Sequence, residues 1–201
     1  MGKKVITIGR EFGSNGRNIA KALADEVGAA FYDKELIVKA SEKSGVHISK
    51  MEHADEKGAN PWLYQSFDEP NQLNYSRIMP VNDFLYQVQR EVILEEAEKE
   101  NCIIVGRCSN YILQDHPCVC HVFIHAPIED RIKTIQDRYQ ITGTEARSLV
   151  KKMDKQRRQY YEYYTKQKWG NANHYHLVLN SSKYRTGDCV LLLKRAYEMF
   201  H

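Results

Sequence analysis

Lys3-Lys4-Val5-Ile6-Thr7-Ile8-Gly9-Arg10-Glu11-Phe12-Gly13-Ser14-Asn15-Gly16-Arg17-Asn18 decides the architecture of this chain. The run from Lys3 to Ile8 is rich in β-branched residues and predicts a strand that ends at Gly9. Residues 10–16 read as a glycine-containing turn. Beyond it Ile19, Ala20, Leu23, Ala24 and Val27 recur at helical spacing, and Gly28 closes the helix. A loop between a first strand and a first helix aims backbone N–H groups, and the positive end of the helix, at one spot. That arrangement cradles phosphates. A tight turn with no ligand has the same outline, so both readings stand at this point.

Working outward, Ala29 to Tyr32 predicts a short second strand with Asp33 at its end. Asp33 is either a cap for the helix over 34–44 or a carboxylate at the ligand-facing edge of the sheet. Strand, loop, helix, strand, helix is the start of a parallel α/β sheet. Residues 45–80 hold Gly45, Gly58, Pro61, Pro70 and Pro80 without clear periodicity. A stretch of that length predicts a movable flap with a short helix or two, not a bare loop. Helical spacing resumes over 81–99, and Cys102 to Val105 is a wholly apolar strand followed by Gly106 and Arg107. Val119 to Ile124 predicts a further strand, with Pro127 opening the next helix. Thr142 and Glu145 form a capping box for a long helix that runs to about Trp169-Gly170. His176 to Leu179 gives a last strand and 188–200 a last helix. Five strands, no internal repeat and no dividing linker predict one domain over 1–201.

The 201 residues are 42% hydrophobic and 27% charged, a folded rather than disordered composition. A net charge of +3 is small for a nucleic-acid binder. No apolar run is long enough for a membrane span, and Met1 to Gly13 does not read as a signal peptide. Five cysteines, an odd number in no zinc spacing, predict reduced thiols and a cytoplasmic protein. His116, Cys118, Cys120 and His121 are too densely spaced for a standard zinc site, and no metal ligand is assigned.

The loop departs from the standard phosphate-binding motif, which ends in Gly-Lys and a hydroxyl residue. Here Gly16-Arg17-Asn18 stands in that place, and Glu11 stands where the first glycine belongs. A guanidinium holds phosphate by a fork of N–H donors, so Arg17 is the candidate for the lysine's work. Arg107 falls just past the end of a strand. Arg131 and Arg138 are seven residues apart on one helix, and Arg157 and Arg158 sit on the next, with Asp154 three and four residues before them. Arginines converging from two helices can clamp a transferring phosphate; the alternative is ordinary charged surface. Tyr160, Tyr161, Tyr163, Tyr164 and Trp169 read as packing against the sheet edge.

Ile6-Thr7-Ile8 through Phe12-Gly13, Phe31-Tyr32-Asp33-Lys34-Glu35-Leu36-Ile37, Ile103 through Arg107, and Tyr160 through Trp169-Gly170 together resemble the cytidylate kinase-like family. The resemblance extends from Ile6 to about Leu193. It implies an α/β, three-layer P-loop kinase fold with a five-stranded parallel sheet in the order 2-3-1-4-5. It also implies a phosphotransferase that uses ATP or GTP with Mg2+ and a small acceptor, a nucleoside monophosphate such as CMP first among them. Neither nucleic acid nor membrane is an expected partner, and a homo-oligomer stays open. Gly13, Ser14, Asn15, Gly16, Arg17 and Asn18 would hold the donor phosphates. Asp33, Arg107 and Arg90, the last in a Gln-Arg pair, would face the acceptor. Arg131, Arg138 and Arg158 would act from the side of a short lid at about 137–143. Cys108 stands where relatives carry Asp. With the altered loop, it keeps a second reading open, a nucleotide-binding regulatory or partner protein with a decayed site.

Overall fold

The computed structural model describes residues 2–46 and 81–200. Five parallel strands make one sheet: β1 (Val5–Arg10), β2 (Ala30–Tyr32), β3 (Cys102–Val105), β4 (Val119–His125) and β5 (Leu177–Asn180). Their order is β2-β3-β1-β4-β5, the order expected from the sequence. The helices are α1 (Gly16–Val27), α2 (Glu35–Ser44), α3 (Val81–Lys99), α4 (Ser109–Ile112), α5 (Ile128–Tyr139), α6 (Gly143–Thr165) and α7 (Thr186–Met199). The expected flap at 45–80 lies outside the described residues apart from Gly45 and Val46.

Strand β1 is the middle of the sheet. Val5 through Ile8 pair with Cys102 through Val105, and Val5 through Arg10 pair with Val119 through Ile124. A strand paired on both edges and covered on both faces must be apolar almost throughout. Within the fully buried run Val5–Ile8, Thr7 is the exception, and its hydroxyl meets Nδ1 of buried His121 at 2.8 Å. Burial pulls that imidazole down to about 4, so the ring sits there neutral.

Successive side chains point to opposite faces of the sheet. Ile6, Ile8, Ile103, Val105, Val122 and Ile124 face α1 and α7. Val5, Cys102 and Ile104 face the other way, into a core shared with Val92, Ile93 and Leu113. The result is three layers, helix on sheet on helix.

Several ends follow directly from local chemistry. Gly28 and Gly45, both with positive φ, terminate α1 and α2. The expected capping box of α6 is present: Thr142 Oγ1 accepts the Glu145 N–H while Glu145 accepts the Thr142 N–H. That helix stops at Thr165, not near Gly170. The Thr165 hydroxyl donates back to the Tyr161 carbonyl and accepts the Gln167 N–H, and Lys166 turns left-handed.

The central strands should dominate stability. Ile104→Ala empties a fully buried position and should cost about 2–4 kcal/mol. Leu191→Ala, at a side chain 56% exposed, should stay within about 0.5 kcal/mol. Urea unfolding of both variants checks the contrast.

Candidate active site

The chain passes from β1 outward through β2 to β3 on one side, then crosses to β4 on the other. At such a switch the loops leaving neighbouring strands diverge and open a crevice at their C-terminal ends. Here that crevice is a cleft of about 610 Å³. The loop after β1, Asp33 after β2, and Gly106 and Arg107 after β3 all open onto it.

The loop is held from beneath. Asp154 of α6 accepts the Phe12 N–H at 2.8 Å and pairs with Arg131 of α5 at 2.5 Å. Arg131 also donates to the Phe12 carbonyl at 3.1 Å and the Ala126 carbonyl at 2.9 Å, and lies 3.2 Å from the Glu11 carboxylate. The Ser14 hydroxyl donates to the Glu11 and Ile124 carbonyls. Gly13 has φ +85, and a Cβ there would lie 2.8 Å from the Arg131 carbonyl oxygen. No other residue fits that approach.

Above this support the loop presents bare donors. Asn15, left-handed at φ 60, is the N-cap of α1, yet its side chain does not cap the helix. Its amide oxygen instead accepts from Arg138 at 2.7 Å. The backbone N–H groups of Gly13, Asn15, Gly16, Arg17 and Asn18 find no acceptor among the described residues. They mark the start of a twelve-residue helix, where the macrodipole is positive.

Asp33 resolves its two readings by geometry. The N-cap of α2 is Lys34, with no side-chain cap bond, so Asp33 does not cap that helix. Its carboxylate instead takes Arg17 Nε at 2.6 Å and lies 3.8 Å from Arg10. The Arg17 guanidinium also stands over the Phe31 ring. Arg107, left-handed at φ 55, lines the same cleft. So does Arg157, whose Nη1 donates to the Arg10 carbonyl at 3.2 Å and whose guanidinium covers Phe12.

Asp33 thus meets Arg10 and Arg17 directly and acts at longer range on Arg107 and Arg157. Burial, then mutual repulsion, lowers Arg10 to about 9, with Arg157 the first of its like-charged neighbours. Burial also lowers Arg107 and Arg157. Burial pushes the Cys108 thiol well above its ordinary range, so the residue in place of the relatives' Asp adds no charge. The Tyr160 phenol is raised likewise and remains a donor, meeting Gln89 at 3.4 Å.

The other sequence candidates separate. Arg138 joins the cleft. Arg131 is buried behind the loop rather than on its ligand side. Arg158 is exposed with its guanidinium over Trp169, and Arg90 is exposed on α3. Residues 137–143 close α5, make the turn and open α6. From sequence Arg10 was singled out for no role, Tyr160 was read as packing, and Arg157 was named with Arg158 only as part of a candidate arginine clamp. For α6 the signal was there: Met153, Gln156, Arg157 and Tyr160 follow helical spacing and share the cleft face. The aromatic group is mostly packing, as expected, with Tyr164 stacked on Tyr86 at 4.0 Å.

Two tests follow. Asp154→Ala strips a partner from buried Arg131 and the acceptor from Phe12; it should cost about 3 kcal/mol or more by urea unfolding. Burial, then repulsion from Arg157, makes the charged Arg10 side chain costly to the fold. Arg10→Met should therefore melt no lower than the parent in anion-free buffer at pH 7, as read by calorimetry.

A solved structure of an uncharacterized protein from Eubacterium ventriosum is 26% identical, with TM-score 0.73, covering 98% of this chain and 99% of that one. A shikimate kinase from Bacteroides thetaiotaomicron, 14% identical with TM-score 0.57 over 98% and 99% of the two chains, shares the fold. So does a gluconokinase from Sinorhizobium meliloti, 10% identical with TM-score 0.56 over 97% and 91%. No curated protein matches the sequence. The model of one family does, across residues 5–183 and so across the loop, Asp33, Arg107 and both arginine-bearing helices, and the chain belongs to that family, the cytidylate kinase-like family.

Proposed function

We propose that this chain moves the terminal phosphoryl group of ATP or GTP onto a small acceptor, a nucleoside monophosphate such as CMP being the leading candidate. Membership of a P-loop kinase family carries the general phosphotransferase chemistry. The observation that supports the site is the uncapped start of α1, with five backbone N–H groups lacking an acceptor among the described residues, opening onto an arginine-lined cleft.

In this reading the donor phosphates lie against the backbone of Gly13, Ser14, Asn15, Gly16, Arg17 and Asn18. Arg138 steadies the loop through Asn15 from the α5 side. Asp33 and Arg107 face the acceptor, and the Arg17 side chain orients Asp33 while its backbone N–H serves the donor. Arg131 acts by holding the loop's shape. Mg2+ keeps most of its waters and takes few protein oxygens beyond those of the phosphates. Asn18, exposed on the first turn of α1, and Asp33, on the cleft wall, fit that modest requirement. When bound, the ion would neutralise charge on the phosphates.

The experiment is a phosphoryl-transfer screen of ATP and GTP with Mg2+ against nucleotide and other small acceptors, paired with thermal shift. Nucleotide at about 100 times its Kd should add about 2.7 kcal/mol of apparent stability. Turnover on a monophosphate supports the proposal. Protection without turnover on any acceptor would favour the nucleotide-binding regulatory reading. A melting temperature indifferent to millimolar nucleotide would oppose both.

A further inference from the structure

Arg10 is the last residue of β1 and stands outside the standard phosphate-loop pattern. Its side chain crosses the cleft floor between two glycines. A Cβ at Gly16 would lie 2.7 Å from Arg10 Cβ and 3.2 Å from its Cγ. A Cβ at Gly106 would lie 2.0 Å from Arg10 Nη1. The stem therefore starts beneath the donor loop and the guanidinium ends against the exit of β3, on the acceptor side. Gly16 and Gly106 leave the corridor it occupies.

The guanidinium at the end of that corridor is incompletely satisfied. Its Nε is buried with no hydrogen-bond partner among the described residues. Among the described residues the one carboxylate in reach, Asp33, is 3.8 Å away and already holds Arg17 at 2.6 Å. Arg17, at the position of the standard lysine, turns the other way: its side chain is 52% exposed and stands over Phe31. Arg10 by contrast is 19% exposed. Arg10 and Arg17 thus share one carboxylate, and Arg157, which feels Asp154 and then Asp33, repels Arg10, so among the described residues the Arg10 guanidinium is short of an anion.

We propose that Arg10, reaching from the end of strand β1, and not the Arg17 side chain on helix α1, is the cation that grips the phosphoryl group between donor and acceptor. The assignment rests on the kinase reading above. A planar fork fixed between two glycines can give two N–H donors to phosphoryl oxygens without rearranging. Charge that spreads over those oxygens during transfer then meets a donor already in place.

Inorganic pyrophosphate is the probe for binding and ATP for turnover, using the full chain. Arg10→Gln should weaken pyrophosphate binding by calorimetry about 10- to 100-fold, the loss of one charge-assisted contact. It should lower kcat by a comparable factor if the contact tightens during transfer. Arg17→Gln should change pyrophosphate binding by less than about 3-fold and show chiefly as a raised acceptor KM. Arg10→Lys keeps the stem and the charge but not the fork, and should recover only part of the loss. It also decides the matter if Arg10→Gln does not fold. Equal pyrophosphate affinity and kcat in Arg10→Lys and the parent would overturn the role given to the fork. If the parent binds and turns over while Arg10→Gln matches it, or if Arg17→Gln carries the loss, this assignment falls and the kinase reading survives. A parent that binds neither pyrophosphate nor nucleotide overturns both.

Discussion

Asp154 accepts the Phe12 N–H and pairs with Arg131, and the loop above them takes its shape from those contacts. Each partner alone would be costly. A buried guanidinium needs a carboxylate, and a buried carboxylate needs donors. Together, with the carboxylate of Glu11 and the carbonyls of Phe12 and Ala126, they form a cluster in which every charged group is answered. The loop therefore does not have to use its own remaining N–H groups to hold itself together. It can leave them turned toward the cleft. Support from behind and exposure in front are two sides of one arrangement.

The cleft reverses that logic. Behind the loop, charges are matched; in front, Arg10 and Arg17 share the Asp33 carboxylate, and Arg10 Nε finds no acceptor among the described residues. A protein selected only for stability would not gather Arg10, Arg107 and Arg157 beside Asp33, because burial lowers all three and repulsion lowers Arg10 and Arg157 further. The imbalance makes physical sense if an anion supplies the missing charge. Each phosphate oxygen that enters removes repulsion as well as adding contacts, so the gain on binding includes relief of strain present beforehand.

The fold was largely legible in the sequence, and the reasons are local. Buried parallel strands have to be apolar throughout, so VITI at β1 and CIIV at β3 announce themselves. The box of Thr142 and Glu145 needs only four residues to be recognised. The short helix α4 went unseen because four residues carry too little periodicity to read. The end of α6 at Thr165 depends on one hydroxyl turning back on the helix. At the site, residues set by position after a strand could be located from sequence, and the loop, Asp33 and Arg107 line one cleft. Residues whose placement depends on the rotation of a helix about its axis could not. Arg157 and Arg158 are neighbours in sequence and lie about 100° apart around α6, so one faces the cleft and the other solvent. Pairing choices were invisible too. Nothing in the order of residues says that Arg17 will reach Asp33 while Arg10 runs between two glycines.

That pairing has a consequence for how the two halves of the site communicate. Asp33 lies after β2, on the side proposed for the acceptor, and Arg17 lies on α1, on the side proposed for the donor phosphates. Their contact at 2.6 Å means that neither group is electrostatically independent of the other. Negative charge arriving at the start of α1 competes with Asp33 for Arg17. An acceptor that hydrogen-bonds to Asp33 competes with Arg17 for the carboxylate. Arg10, 3.8 Å from the same carboxylate, is placed to take up the difference. By linkage, whatever one ligand does to the shared carboxylate changes the affinity of the second, and equally in both directions. A standard lysine in place of Arg17 would offer a point charge; the planar guanidinium can keep one edge on Asp33 while its backbone N–H serves the phosphate. On the proposed reading, the arginine is more than a weakened copy of the usual lysine, because it ties the glycine loop's helix to the Asp33 carboxylate through one side chain.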